Sequence, residues 1–264
     1  MLFDVQFKWI GGATWTLSLD GFKLACDPVL CPMGKVQKYG FGMVGKRLTA
    51  PGFDADDFRD VDLWLISHEH KDHIDSDGLS QIDPNAPCVT NRGAAARLRK
   101  IGPRQLMILE HGQTVSLEIK DFSLEIEAIP AVHASNRLAS HFAGRGNGYW
   151  LTLKKGPAKT SIYVTGDTVC HAKVTRYLAN RTADILIPNL GKSHIGKFGS
   201  PYTLSAEGLH KVVDLVRPRL VFPVHHSSFS HMNGEPISRV SDWKDERVKV
   251  LREGESFRLA KGSA

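Results

Sequence analysis

With 264 residues, 42% of them hydrophobic and 23% charged, the chain can bury a substantial core and has the balance of an ordinary globular protein. No run approaches the roughly eighteen consecutive apolar residues of a membrane span, and Met1-Leu2-Phe3-Asp4-Val5-Gln6 has no basic then apolar export pattern, so the expected compartment is the cytoplasm. A net charge of +6 admits an anionic substrate, but Arg97-Leu98-Arg99-Lys100 and Lys154-Lys155 are short and lack interleaved aromatics, so nucleic acid is not the expected partner.

Taken in chain order, Thr14–Leu19 and Phe22–Ala25 read as a hairpin turned by Asp20-Gly21. Cys31 to Phe53 is glycine-rich and weakly periodic, which predicts a long loop. It is expected to act either as a lid or subunit contact beside a site, or as an irregular surface connection. The largely apolar run Val61–Ile66 predicts a strand, and Asn91–Lys100 a helix. Phe122–Ile129 alternates as a strand does, and Ser161–Thr165, Ile185–Ile187 and Arg219–Val224 add three more. Leu204–Val216 predicts a helix with Leu209, Val212, Val213 and Val216 on one stripe, Thr203 as N-cap and Pro218 beyond its end. Val248–Leu251 and Ser256–Leu259, on either side of Glu253-Gly254, predict a terminal hairpin. There are no repeats and no low-complexity linker, so residues 1–264 are expected to form one domain.

Chemistry concentrates where these strands end. Val61–Ile66 runs into Ser67-His68-Glu69-His70-Lys71-Asp72-His73, three histidines and an aspartate within six residues. Imidazole nitrogen and carboxylate oxygen are the ligands that zinc, manganese and iron accept, and in extended chain His68 and His70 would point the same way. Phe122–Ile129 leads to His133, Ser161–Thr165 to Gly166-Asp167-Thr168, and Arg219–Val224 to His225-His226. Polar residues at the carboxyl ends of four strands are placed where α/β sheets gather their sites. His226 points away from His225 and is expected to be structural. The four cysteines, Cys26, Cys31, Cys88 and Cys170, are scattered without a C-x-x-C pair and read as free or buried thiols.

In order and spacing, His68-x-His70-x-Asp72-His73, His133, Asp167 and a Pro-x-His ending in His225 resemble the metallo-β-lactamase superfamily over nearly the whole chain. Gly11-Gly12-Ala13-Thr14-Trp15, Asp20-Gly21 and Asp27-Pro28 are most similar to the branch holding ascorbate-6-phosphate lactonase and the N-acylphosphatidylethanolamine-cleaving phospholipase D. The resemblance implies an α/β fold, the αββα four-layer sandwich of two mixed β-sheets flanked by helices. It implies that His68, His70 and His133 bind one divalent metal, that Asp72, His73 and His225 bind a second, and that Asp167 bridges them. A bridging hydroxide would be the nucleophile, and Asp72 would help orient it. Zinc suits five histidines and two aspartates; manganese and iron fit the same set. Asp27 is expected to accept a hydrogen bond from a ligand histidine. Lys192, His194 and His231 are candidates for substrate binding or for proton donation to a leaving group.

Asp167 stands where a large β-lactamase subgroup carries a metal-binding cysteine, which argues against antibiotic hydrolysis. The stretch between Asp167 and His225 is too short for the inserted domain of the RNA-cleaving members. The length after His225 is too short for the flavin domain of the diiron oxygen reductases. The expected function is therefore metal-dependent hydrolysis of a small, anionic lactone, ester or phosphodiester. The alternative is a nuclease or cyclic-nucleotide phosphodiesterase on the same metals. The least favoured reading is a non-catalytic metal- or RNA-binding protein. Relatives in this branch are often oligomeric, so a homo-oligomer is expected.

Overall fold

Asp20 and Gly21 both take left-handed backbone, φ 46° and 85°, the geometry that returns one twisted strand antiparallel on the last, and Leu19 pairs with Phe22 across the turn. In the computed structural model, which describes residues 1–40, 43–133, 145–193 and 201–262, this hairpin lies within the first of two large sheets. With strands numbered along the chain, the first sheet runs β15 (Ser256–Leu259), β1 (Val5–Gly11), β2 (Thr14–Leu19), β3 (Phe22–Cys26), β6 (Leu63–Ile66), β7 (Cys88–Thr90) and β8 (Leu106–Ile108). The second runs β14 (Leu220–Val221), β13 (Ile185–Ile187), β12 (Ala158–Val164), β11 (Gly146–Lys155), β10 (Phe122–Ala131) and β9 (Thr114–Ile119). Both are mixed: β3, β6, β7 and β8 are parallel, as are β12, β13 and β14, and the remaining pairs are antiparallel.

Alternation along the strands sorts the side chains into layers. Phe122, Leu124, Ile126 and Ala128 of β10 all face an inner core shared with Phe7, Leu17, Phe22 and Leu24 of the first sheet. There Phe7 stacks on Phe222 with centroids 4.2 Å apart, and Phe22 meets Phe122 at 5.1 Å. Each such ring contributes about 1.5–3 kcal/mol by leaving water. The outer faces carry helices. Leu209, Val212, Val213 and Val216 of the helix Ala206–Val216 cover Tyr163 and Leu186, while Ala94 and Leu98 of the helix Arg92–Leu98 cover Trp64 and Ile66. The result is the αββα sandwich. No helix among the described residues is long and apolar enough to cross a membrane.

Three local expectations change. Ser205, rather than Thr203, caps the Ala206–Val216 helix, its hydroxyl accepting from Gly208 N at 3.0 Å. Thr203 instead accepts from Ser193 N at 2.8 Å. The terminal hairpin does not form. β15 pairs antiparallel with β1, whereas Val248 bridges Val221 and Lys249 N donates to Val221 O at 2.8 Å. The two runs close the free edges of different sheets, a choice of partner that alternation alone does not encode. Finally, Cys31–Phe53 contains a hairpin of β4 (Val36–Gly40) and β5 (Met43–Lys46), whose register shifts between Lys38 and Gly40. Gln37 and Gly45 on its inner face are buried, and Val36, Lys38, Val44 and Lys46 on its outer face are exposed.

Candidate metal centre

The carboxyl ends of β6, β10, β12 and β14 deliver seven side chains to one edge of the sandwich. His68, His70 and His133 form one group and Asp72, His73, Asp167 and His225 a second, with the donor atoms in each group within 4.8 Å of one another. All but His70 are buried. Beyond β6 the chain turns on His70, whose carbonyl accepts from His73 N and Ile74 N at 3.1 and 3.0 Å, so that Asp72 and His73 swing round beside the first two histidines. Gly166 (φ 58°) makes the turn that presents Asp167, and a Cβ there would lie 2.5 Å from Asn147 O, so only glycine fits. His225 holds the left-handed conformation without being glycine, φ 60°, with its N–H bound to Gly12 O at 2.8 Å. Such backbone strain is retained where surrounding structure over-determines it.

Within the first group, His68 Nε2 lies 2.9 Å from His70 Nδ1 and 3.4 Å from His133 Nε2. Nitrogen lone pairs at that spacing repel unless a proton or a cation lies between them. Burial, then the neighbouring His73, His70 and His133, push His68 well below the usual imidazole range, and burial followed by His70 takes His133 to about 3. Both are therefore neutral and offer lone pairs. In the second group, Asp167 Oδ2 is 3.1 Å from His73 Nε2 and Oδ1 is 3.6 Å from His225 Nε2, while Oδ2 also comes within 4.0 Å of His68 Nε2. Asp167 thus faces both groups. Burial would raise the two carboxyl groups, but His225 and His231 beside Asp72, and His225 and His73 beside Asp167, outweigh it and hold both ionised. Burial likewise opposes charge on His73, yet Asp167 and Asp27 on either side raise it well above the usual range.

Among the described residues, buried Asp72 Oδ1, His73 Nε2, Asp167 Oδ2 and His225 Nε2 make no hydrogen bond of good geometry, although His73 Nε2 and Asp167 Oδ2 face each other. Leaving one such atom unsatisfied costs about 1–3 kcal/mol, and four in one place, one from each residue of the second group, is an arrangement that a divalent cation resolves. The donor set, imidazoles and carboxylates with no thiolate, fits zinc, manganese or iron.

A supporting shell surrounds these groups. Asp27, φ 42° and 2% exposed, lies beneath His73: Oδ2 takes His73 Nδ1 at 2.8 Å and Ser67 Oγ at 2.6 Å, and Oδ1 takes Ser67 N at 2.7 Å. His231 Nε2 lies 2.8 Å from Asp72 Oδ2. Lys192 is exposed at the mouth of the Ala206–Val216 helix, where it assists Lys211 in holding the Glu207 carboxyl low. His194 lies outside the described residues. His226 packs on Trp9 at 4.4 Å, and burial with His225 lowers it to about 4, in keeping with a structural role. Cys170 packs against Gly208 of the outer helix.

The sequence reading passed over four contributors. Asn189 Nδ2 donates to Asp167 Oδ1 at 2.8 Å. It follows the apolar run of β13 just as the other groups follow theirs, so the same rule would have found it. Ser67 ties Asp27 to His68 Nδ1, which is 2.9 Å from its hydroxyl. Tyr39 and Tyr202 are phenols kept un-ionised by burial and by the charges of Asp72 and Asp167, and no sequence signal marks them. A cavity of about 510 Å³ opens alongside, lined by Glu69, Asn91, Arg92, His111, Arg145 and Asn147 among others.

The chain spans nearly the full length of a protein named as a metal-dependent hydrolase in Hyperthermus butylicus, 26% identical over 260 residues that cover 96% of this chain and 98% of that one. Its fold is similar to a possible metal-dependent hydrolase from Veillonella parvula (TM-score 0.78, 18% identity, 98% and 100% of the two chains). It is also similar to an isothiocyanate hydrolase from Delia radicum gut bacteria (TM-score 0.78, 19% identity, 97% and 99%). The family model described as a β-lactamase superfamily domain matches residues 6–225, the span from β1 to the last of the seven clustered side chains. The chain belongs to the metallo-β-lactamase superfamily.

Proposed function

We propose that this protein is a metal-dependent hydrolase with a dinuclear centre, residues 1–264 acting as one hydrolase domain. The observation that carries this reading is the convergence of seven side chains from four strand ends, with four buried donor atoms that make no good hydrogen bond. His68, His70 and His133 would hold one cation and Asp72, His73 and His225 the other, with Asp167 facing both groups. Zinc suits this set best. When bound, paired cations acidify water to near neutral pKa and stabilise negative charge on a substrate oxygen.

The chain's own residues supply the rest. Asp167, braced by Asn189, fixes the spacing of the two groups. Asp72, ionised at neutral pH, orients attacking water and accepts its hydrogen bond. Asp27 holds the proton of His73 on Nδ1, so that a cation binding at Nε2 would displace only the proton there. The substrate is small, since the adjoining cavity of about 510 Å³ is within the range of small-molecule sites, and the chain's net charge of +6 favours an anionic one. Its bond is a lactone, ester or phosphodiester.

The test is hydrolysis of bis(p-nitrophenyl) phosphate, p-nitrophenyl acetate and a homoserine lactone by protein loaded with zinc or manganese. Turnover of at least one, lost with a chelator and restored by metal, is the expected result. No turnover of any, with metal bound, would contradict it.

A further inference from the structure

Asp72 enters the centre from a turn, and its carboxylate is steered from a part of the chain that supplies none of the seven clustered groups. His231, in the short helical turn Ser230–Met232, reaches across 159 positions of sequence to put Nε2 at 2.8 Å from Asp72 Oδ2. That oxygen also lies 3.6 Å from His225 Nε2, while Oδ1 is buried and unpartnered. With its proton on Nε2, His231 fixes the carboxylate plane, and its own Nδ1 is left facing the β4–β5 hairpin.

That hairpin is shaped to hold the ring. A Cβ at Gly45 would lie 2.4 Å from His231 Nδ1 and 2.8 Å from Tyr39 Cε2, so the absence of a side chain at 45 is what lets the imidazole lie against β5. Tyr39 closes on the ring edge-on, centroids 5.1 Å apart at 66°. The hairpin is itself pinned to the turn that carries His231. Lys46 N donates to Ser230 Oγ at 3.0 Å, Leu48 N to Ser228 O at 2.8 Å, and Arg47 bridges Phe229 with its buried guanidinium 4.9 Å above the ring. Five of the six exposed large hydrophobic side chains among the described residues, Met33, Val36, Val44, Leu48 and Phe53, lie on the solvent side of this same segment. Its inner face, by contrast, is committed to the centre.

We infer that His231 is a positioning residue for Asp72, and that the β4–β5 hairpin, through the bare backbone of Gly45, holds His231 in place and so completes the second cation position. The inference rests on the dinuclear reading above. It makes the two positions unequal: the triad His68, His70 and His133 stands without the hairpin, whereas the position at Asp72, His73 and His225 depends on it.

Cobalt(II) titration of the full chain, followed by visible ligand-field absorption and bound-metal analysis, tests this on the wild type, His231→Ala, His231→Gln and Gly45→Ala. The wild type is expected to bind two equivalents. In His231→Ala the first should bind within about threefold of wild type and the second roughly 10- to 100-fold more weakly, the usual range for losing a partner that orients a ligand. Gly45→Ala should shift the second equivalent in the same direction. His231→Gln should recover most of the affinity, because its amide N–H reaches the place of Nε2. Two equivalents bound by His231→Ala as tightly as by wild type would overturn the inference and leave the dinuclear reading standing. So would equal loss of both equivalents in the alanine and glutamine variants, which would make the role merely structural. A wild type that saturates at one equivalent would overturn the dinuclear reading and this inference with it.

Discussion

Replacing Asp27 with asparagine alters one oxygen and should reverse a tautomer. The backbone at 27 is left-handed, φ 42°, which asparagine tolerates, so the turn survives. The carboxylate accepts three hydrogen bonds, one on Oδ1 from Ser67 N and two on Oδ2 from Ser67 Oγ and His73 Nδ1. A backbone N–H cannot become an acceptor, so the amide oxygen must stay on Ser67 N. The amide nitrogen then faces Ser67 Oγ and His73 Nδ1. The hydroxyl can rotate to accept, but His73 can do so only by giving up its proton at Nδ1, and that proton moves to Nε2, the atom turned toward Asp167. One charge-assisted hydrogen bond is lost, about 1.5–3 kcal/mol, and a donor nitrogen is blocked. Metal affinity at this position should therefore fall by roughly one to two decades. Zinc competition against a chromophoric chelator measures it. Wild-type affinity for both equivalents in Asp27→Asn would refute the tautomer argument.

Gly78 sits where a Cβ would be 1.8 Å from Pro28 O and 2.4 Å from its carbonyl carbon, both backbone atoms. Gly78→Ala should cost roughly 3 kcal/mol through overpacking, and lower the melting temperature by about 6–12 °C; an unchanged melting curve would contradict this. Burial pushes the Cys31 and Cys88 thiols up to about 12 and raises Cys26 well above its usual value, whereas Cys170 is only partly buried. A thiol at that value is about one part in ten thousand thiolate at pH 8, so Ellman's reagent should titrate one cysteine rapidly in the native protein. Cys170→Ser should abolish that phase, with three thiols appearing on unfolding; rapid reaction of a second native thiol would contradict the burial argument.

Those parts of the centre that follow a strand were legible because two local signals coincide there: alternation or an apolar run sets the strand, and a polar residue able to ligate or brace a metal follows its end. His68, His70, Asp72, His73, His133, Asp167 and His225 all meet that condition, and the sandwich brings them to one edge. Asn189 meets it too, at the end of β13. The support of His231 and Tyr39 was not legible, since it depends on where the β4–β5 hairpin folds back, and a glycine-rich stretch carries little periodicity from which to place it. Strand partners were the other gap. Ser256–Leu259 forms a strand and Val248 only an isolated bridge, and each meets the open edge of a different sheet. Local pattern reports extension and facing, and leaves open which edge is free.

The central claim is that two cations share one carboxylate, and it is tested most directly by counting bound zinc in the wild type and in Asp167→Ala after equilibrium dialysis. Asp167 is fully buried between the groups, so its loss removes the shared donor and leaves Asn189 without its acceptor. The account predicts two equivalents in the wild type and loss of most of the bound metal, with activity, in the variant. One equivalent or none in the wild type, or two equivalents retained by Asp167→Ala, would contradict it.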